Sequence, residues 1–336
     1  MTTGYTVYGH APVEFPPFRA LFPWVGGDLQ TIRNTVTSAD DSQPTPASER
    51  IQLPMNDGSG DSLLGLLSNT RSETTLPLLV LMHGLTGSES SRNITASAKH
   101  FASLGFPVLR LNLRGAGPSL GLCKEHYHAG RFQDLSAALT ALPQRVSQNG
   151  FVMVGVSLGG NTLLKFAAET AQEHNVHAMV SVSAPIDLKM SQQRIMASRN
   201  MLYHRYLLDR MKADALVAAQ DKAAMTEILK SVRSVYDYDD LIVAPPNNFD
   251  GAEDYYKRCS ATYVLDKISI PTLLIHAATD PWIPLSMYMD HSWPADGPLS
   301  LIVSEDGGHV GFHNKDHAVP WHDVCTGEYF LSVLKA

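Results

Sequence analysis

The 336-residue chain carries 26 Lys and Arg against 33 Asp and Glu, a net charge of −7, and is 44% hydrophobic and 18% charged. That is enough apolar sequence to bury a full core in one large domain, which excludes a disordered or fibrous chain, and the acidic balance argues against nucleic acid as a main partner, because phosphate binding needs a basic surface. Three scattered cysteines, Cys123, Cys259 and Cys325, form no CxxC pair and predict neither a zinc site nor a disulfide framework, only reduced thiols in a cytoplasmic protein.

In chain order, residues 1–47 are rich in Pro, Gly, Ser and Thr and read as an arm lying on the domain, with a polar stretch at Ser38–Ala47. The start lacks a basic segment followed by an apolar run, so it is not read as a signal peptide, and no stretch is long and apolar enough to span a bilayer. Glu49–Leu53 and Ser62–Leu67 flank the turn-rich Asn56–Gly60 and predict an antiparallel hairpin. From Leu76 short apolar runs alternate with helical patterns. Leu78–Met82, Val108–Leu111, Phe151–Val154, Ala178–Val182, Thr272–Ile275 and Leu299–Val303 read as buried strands. Ile94–Leu104, Phe132–Leu142, Leu158–Glu173, Met287–His291 and Trp321–Leu334 read as helices. This alternation predicts an α/β fold with a mostly parallel central sheet covered by helices on both faces. The block 187–262 breaks the rhythm, with helical patterns at Ile195–Leu208 and Ala213–Leu229, and is expected to form a helical cap between core segments 48–186 and 263–336.

The chemistry is carried by Gly155-Val156-Ser157-Leu158-Gly159, a G-x-S-x-G pentapeptide between a predicted strand and a predicted helix. A turn that tight needs residues without Cβ at 155 and 159. It lifts the Ser157 hydroxyl above the sheet and sets it at a helix N-terminus, where negative charge is favoured. A serine hydroxyl is a poor nucleophile without a base. Asp280, after Thr272–Ile275, and His309, in Gly307-Gly308-His309, follow in the order Ser–Asp–His and sit past the ends of predicted strands. His309 is expected to take the Ser157 proton and Asp280 to orient the imidazole. Chain order favours Asp280 over Asp187, which follows one strand too early. Among the other histidines, His276 reads as a core residue, His313 lacks the Gly-Gly approach, and His126 and His128 would make a metal pair only with a carboxylate that the sequence does not clearly supply. The oxyanion donors are expected to be the backbone N–H groups of Leu158 and of Leu85, in the His83–Ser88 loop. Arg114 is read as holding loops through its guanidinium, with binding of an anionic substrate group as the alternative. No motif calls for a metal or an organic cofactor.

Further blocks carry a resemblance. Phe22-Pro23-Trp24 with Gln30-Thr31-Ile32, the His83–Ser88 loop, Asn112–Gly115, Tyr127–Gly130, the elbow Gly155–Asn161, Asp239-Asp240 with Ala244-Pro245, and Tyr255-Tyr256 together resemble the YheT-like branch of the α/β-hydrolase family. The resemblance runs from about Phe18 to the end. It implies the α/β-hydrolase fold and ester hydrolysis, with Asp280 and His309 where that family keeps its acid and base. The expected activity is a serine carboxylesterase acting on a small-molecule ester of short- to medium-chain acids. Acyl transfer to an alcohol and lipase or phospholipase action use the same groups and stay open, and a non-catalytic binding protein on this scaffold is the remaining reading. Dehalogenase or epoxide hydrolase chemistry is disfavoured, because serine and not aspartate occupies the elbow.

Overall fold

Among the residues that the computed structural model describes, 4–37, 47–69 and 74–335, nine strands join in one sheet. They are β1 (Tyr5–Gly9), β2 (Ser48–Pro54), β3 (Ser62–Ser68), β4 (Leu78–Met82), β5 (Val108–Leu111), β6 (Phe151–Val156), β7 (Val176–Val182), β8 (Thr272–Ala277) and β9 (Leu299–Ser304). Their order is β1-β9-β8-β7-β6-β4-β5-β3-β2. The strands from β9 to β5 run parallel. The β2–β3 hairpin closes one edge antiparallel and β1 closes the other.

Strand periodicity explains why the central runs are apolar at nearly every position. Successive side chains point to opposite faces, and both faces are covered. In β4, Leu78, Val80 and Met82 enter one core while Leu79 and Leu81 enter the other; in β6, Phe151 and Met153 oppose Val152, Val154 and Val156.

The helices are α1 (Gly27–Val36), α2 (Arg92–Ser103), α3 (Gln133–Ala141), α4 (Gln144–Ser147), α5 (Leu158–Glu169), α6 (Leu188–Met196), α7 (Met201–Ala218), α8 (Lys222–Ser231), α9 (Val235–Tyr238), α10 (Ala252–Cys259), α11 (Ser286–Met289) and α12 (Trp321–Val333). Helices α3 and α5 cover one face through Leu135, Leu139, Leu163 and Phe166. Helices α2 and α12 cover the other through Ile94, Phe101, Trp321 and Phe330. Each such side chain contributes about 1.5–3 kcal/mol on burial. No described helix is long and apolar enough to cross a membrane.

Two differences from the sequence expectations stand out. The segment read as an arm contains β1, paired to β9 from Tyr5↔Ser304 to Gly9↔Ser300, and the helix α1. The polar stretch expected at Ser38–Ala47 lies outside the described residues but for its last position. Between β7 and β8 the helices are α6 to α10, with boundaries unlike the expected 195–208 and 213–229. Local capping set them. The Asp187 carboxylate accepts the Met190 N–H at 2.9 Å and starts α6. The Asp221 carboxylate accepts the Ala223 and Ala224 N–H groups at 3.0 and 2.9 Å and starts α8, as an N-cap aspartate does.

Candidate active site

The sharp turn between β6 and α5 places Ser157 at φ 52° and ψ −125°, a left-handed region costly for a residue with a side chain. Its glycines are there for lack of room. A Cβ on Gly155 would sit 2.4 Å from the Gly159 carbonyl oxygen, and one on Gly159 would sit 2.5 Å from the His83 carbonyl oxygen. The Ser157 N–H donates to Val182 O at 2.8 Å, which ties the turn to β7.

Asp280 and His309 reach this turn from the ends of β8 and β9. His309 Nε2 lies 2.8 Å from Ser157 Oγ, and His309 Nδ1 lies 3.1 Å from Asp280 Oδ2. A carboxylate only accepts, so Nδ1 donates to Asp280, and Nε2 of the neutral ring is left to accept the Ser157 hydroxyl. Asp280 Oδ1 accepts the N–H groups of Trp282 and Ile283 at 2.8 and 3.0 Å. Burial pushes the Asp280 carboxyl up, but the His309 ring and the Trp282 N–H outweigh it and hold it below the ordinary carboxylate range.

The loop after β4 lies against Ser157. A Cβ on Gly84 would meet Ser157 Cβ at 2.9 Å and Ser157 Oγ at 3.4 Å. His83, fully buried, is held neutral, its pKa lowered to about 4 by desolvation. Its Nε2 accepts the Leu113 N–H at 3.1 Å, so Nδ1 donates to Gly84 O at 2.8 Å. That carbonyl also accepts the Gly87 N–H at 3.1 Å. The planar trans peptide then turns the Leu85 N–H to the opposite side. Neither the Leu85 nor the Leu158 N–H donates to an acceptor among the described residues. Thr86, at φ 56°, is gripped from two directions. Its N–H donates to Tyr127 Oη at 2.8 Å, and Arg210 of α7 donates to its hydroxyl and carbonyl oxygens, both at 3.1 Å.

Helix α1, which sequence reasoning missed, braces the other side. Thr31 Oγ1 accepts the His309 N–H at 2.8 Å and donates to Gly27 O at 2.6 Å. Gln30 accepts the His313 N–H at 2.7 Å and donates to the His313 carbonyl at 3.0 Å. The Gly26 N–H donates to the Asp306 carboxylate. Helix α1 and the loop that carries His309 come so close that a Cβ on Gly308 would lie 2.4 Å from Thr31 N. The Gln30-Thr31 pair was a sequence signal, but only as part of a resemblance without a role.

The rival readings resolve by position. Asp187 is the cap of α6. His276 is a buried core residue stacked on Tyr288 at 4.5 Å, its pKa lowered to about 4 by desolvation. His313 is held by Gln30 through its backbone, and its ring Nδ1 lies 3.3 Å from Arg33 Nη1. His128 packs edge-on to Phe249 and Tyr255, and no metal-capable group of three or more ligands occurs among the described residues. A lone charged arginine in a loop is ordinarily exposed, and Arg114 is not. It is 1% exposed, donates to Asp134 at 2.9 and 2.6 Å, and adds bonds to Asp61 and Asp57 at 3.0 and 2.6 Å. The holding role stands on ion pairs with the buried Asp61 and Asp134 and the half-exposed Asp57 and Glu125.

That cavity, of about 910 Å³, opens over Ser157 and His309. Leu85 and Trp282 line its base. Leu188, Ile195, Leu207, Met211 and Val235 of the helical block line its apolar wall, and Tyr127, Tyr238, Asp214 and Asp239 form a polar one.

Residues 77–316 match the alpha/beta hydrolase fold family. YheT of Escherichia coli (strain K12), named for a suspected esterase activity, is 34% identical over 304 residues, 87% of this chain and 86% of that protein. A monoacylglycerol lipase of Saccharomyces cerevisiae is 27% identical over 264 residues, 75% of this chain and 58% of that protein. Among solved structures, the Pyrococcus furiosus esterase Pf2001 superimposes with a TM-score of 0.58 at 15% identity, covering 85% of this chain and 91% of that one. Fold, family match and relatives agree: the chain belongs to the alpha/beta hydrolase family, on its YheT-like branch.

Proposed function

We propose that this protein is a serine carboxylesterase that hydrolyses short- to medium-chain acyl esters through an acyl-enzyme on Ser157. The observation that carries the reading is the continuous bond path from Ser157 Oγ through His309 to Asp280, at 2.8 and 3.1 Å. Ser157 Oγ attacks the ester carbonyl carbon while His309 Nε2 takes its proton. The N–H groups of Leu85 and Leu158 receive the oxyanion. The intermediate collapses, the alkoxide leaves with the proton from His309, and the acyl group stays on Ser157. Water then repeats the sequence, giving its proton to His309 and releasing the acid. Asp280 stabilises the imidazolium throughout. In this reading residues 187–262 act as a cap on a core made of 48–186 and 263–336. Three free thiols, Cys123, Cys259 and Cys325, support a cytoplasmic setting.

The size and apolar wall of the cavity favour a second reading, a lipase with a longer acyl preference, which the lipase name of the yeast relative also suggests. A p-nitrophenyl ester series from acetate to palmitate separates the two by its optimum. The same series run on Ser157→Ala tests both. Activity should fall to background with the fold retained, and undiminished turnover would discard the acyl-enzyme.

A further inference from the structure

Trp282 stands two residues past Asp280, on the turn that carries the acid. Its indole stacks on the His309 imidazole, with ring centroids 4.5 Å apart and planes 22° from parallel. Tyr203 of α7 meets the same indole edge-on at 5.5 Å, and its hydroxyl donates to Asp28 of α1 at 3.1 Å. The indole is thereby held between the imidazole and Tyr203 of α7, which Asp28 of α1 anchors in turn. One feature argues against a packing role alone. The indole N–H is buried without an acceptor among the described residues, which costs stability. A phenylalanine would fill apolar space without that cost. Such uncompensated local costs concentrate at functional sites.

We infer that Trp282 is a positioning residue for the proposed reaction: it holds the His309 ring in line with both Ser157 and Asp280, and its π face stabilises the imidazolium formed when Ser157 gives up its proton. This rests on the serine esterase reading. Imidazole rotation about its Cβ–Cγ bond is broad and soft, and the single bond to Asp280 does not fix the plane. A stacked ring does. A cation over an indole face is attracted by the ring quadrupole, and the imidazolium lies against that face. The other ionisable groups around His309 are Asp280 and His276 of the β8 end, Asp306 of its own loop, Asp28 of α1, and Tyr203 and Arg199, which also bonds Asp28 at 2.8 Å. None of these groups is itself replaced when Trp282 alone is changed.

The test is kcat and KM for p-nitrophenyl butyrate against pH, with thermal unfolding, for wild type, Trp282→Leu and Trp282→Phe. Loss of the π face removes a stabilising contact from the imidazolium. The acid limb of the Trp282→Leu profile should therefore move to lower pH by about half a unit, with plateau activity down about tenfold, mainly in kcat. Trp282→Phe should recover most of both. A residue that only packs would lower the unfolding temperature and leave the limb where it is. A folded Trp282→Leu with wild-type limb and kcat, or a Trp282→Phe no better than it, overturns the proposal. Should Trp282→Leu unfold, Trp282→Met, whose flexible thioether fills the gap, is measured against the same two outcomes. Ser157→Ala in the same assay separates the two failures. Retained activity there brings down the esterase reading, whereas an inactive Ser157→Ala beside an unaffected Trp282→Leu brings down this proposal alone.

Discussion

Asp280, at the end of β8, and Asp323, in the first turn of α12, are both buried, at 4% and 0% exposure, yet their carboxyls move in opposite directions. Asp280 receives three bonds, from His309 Nδ1, Trp282 N and Ile283 N, and stays below the ordinary range. Asp323 receives one, from Ser97 Oγ at 3.0 Å. Its Oδ1 has no hydrogen-bond partner among the described residues, although His322 Nε2 lies 3.4 Å away. The nearby histidines bring no compensating charge, because desolvation lowers His322 to about 3 and His313 to about 4. Burial therefore pushes Asp323 up to about 7, against a small lowering by Ser97. Equal burial with unequal numbers of donors makes one carboxyl an anion and keeps the other protonated up to near neutrality. The region around Ser157 organises charge, while the region around Asp323 suppresses it.

The sharpest way to break this contrast is to replace each aspartate by asparagine. Asp280→Asn removes the acceptor that sets the His309 tautomer, and kcat on p-nitrophenyl butyrate should fall about 10⁴-fold. Asp323→Asn should leave kcat unchanged. Equal losses in both would mean that Asp280 serves the fold and not the reaction.

Glycines give the next largest effect. Gly84→Ala drives a Cβ into Ser157 and displaces the Leu85 N–H, and about a 10²- to 10³-fold loss of kcat is expected with little change in unfolding temperature. Gly327→Ala on α12 meets the far end of Leu104 at 2.8 Å and, in ordinary contact, His100 Nε2 at 3.6 Å, so it should cost some stability and no activity.

The pH dependence of stability separates the two carboxyls a third way. Asp280, with a lowered folded pKa, contributes stability that is present above the ordinary carboxylate pKa and lost as pH falls through its folded value. Asp323, with a raised one, binds a proton more tightly folded than unfolded. Its stability contribution is full below about pH 4 and is lost as pH rises to about 7. Asp323→Asn removes that loss and offers an amide donor to the neutral His322 ring. Urea unfolding at pH 8 should show the variant more stable than wild type by on the order of 2 kcal/mol, with the difference gone near pH 4. A gain that is the same at both pH values would contradict the raised pKa.

The smallest effect tests the brace from α1. Thr31→Val deletes the acceptor of the His309 N–H and should reduce kcat about fivefold to tenfold, roughly 1 kcal/mol, with Thr31→Ser close to wild type. Ser97→Ala, the equivalent loss at Asp323, should leave kcat alone.

Much of the site was legible because its signals are local. The elbow is five residues, its strand and helix are contiguous with it, and Asp280 and His309 each follow an apolar strand at once. The same locality made β4 and β5 readable to the residue, since strands buried on both faces are short, apolar and punctuated. Illegible were β1, half-exposed and defined only by pairing with β9 almost 300 residues away, and α1, whose one buried residue is Gln30. The burial of Arg114 was hidden for the same reason, its carboxylate partners lying at 57, 61, 125 and 134.

By itself, the sequence determined the α/β class, through a period of two buried on both faces, and the presence of serine, aspartate and histidine in hydrolase order. Only the tertiary structure decided that Thr31 would pin His309 across 278 positions, that an indole would lie flat on the imidazole, and that one buried aspartate would be an anion and another not. A periodic pattern is written in neighbouring residues, whereas a ring's orientation and a carboxyl's charge depend on which distant donors the fold brings within hydrogen-bonding reach.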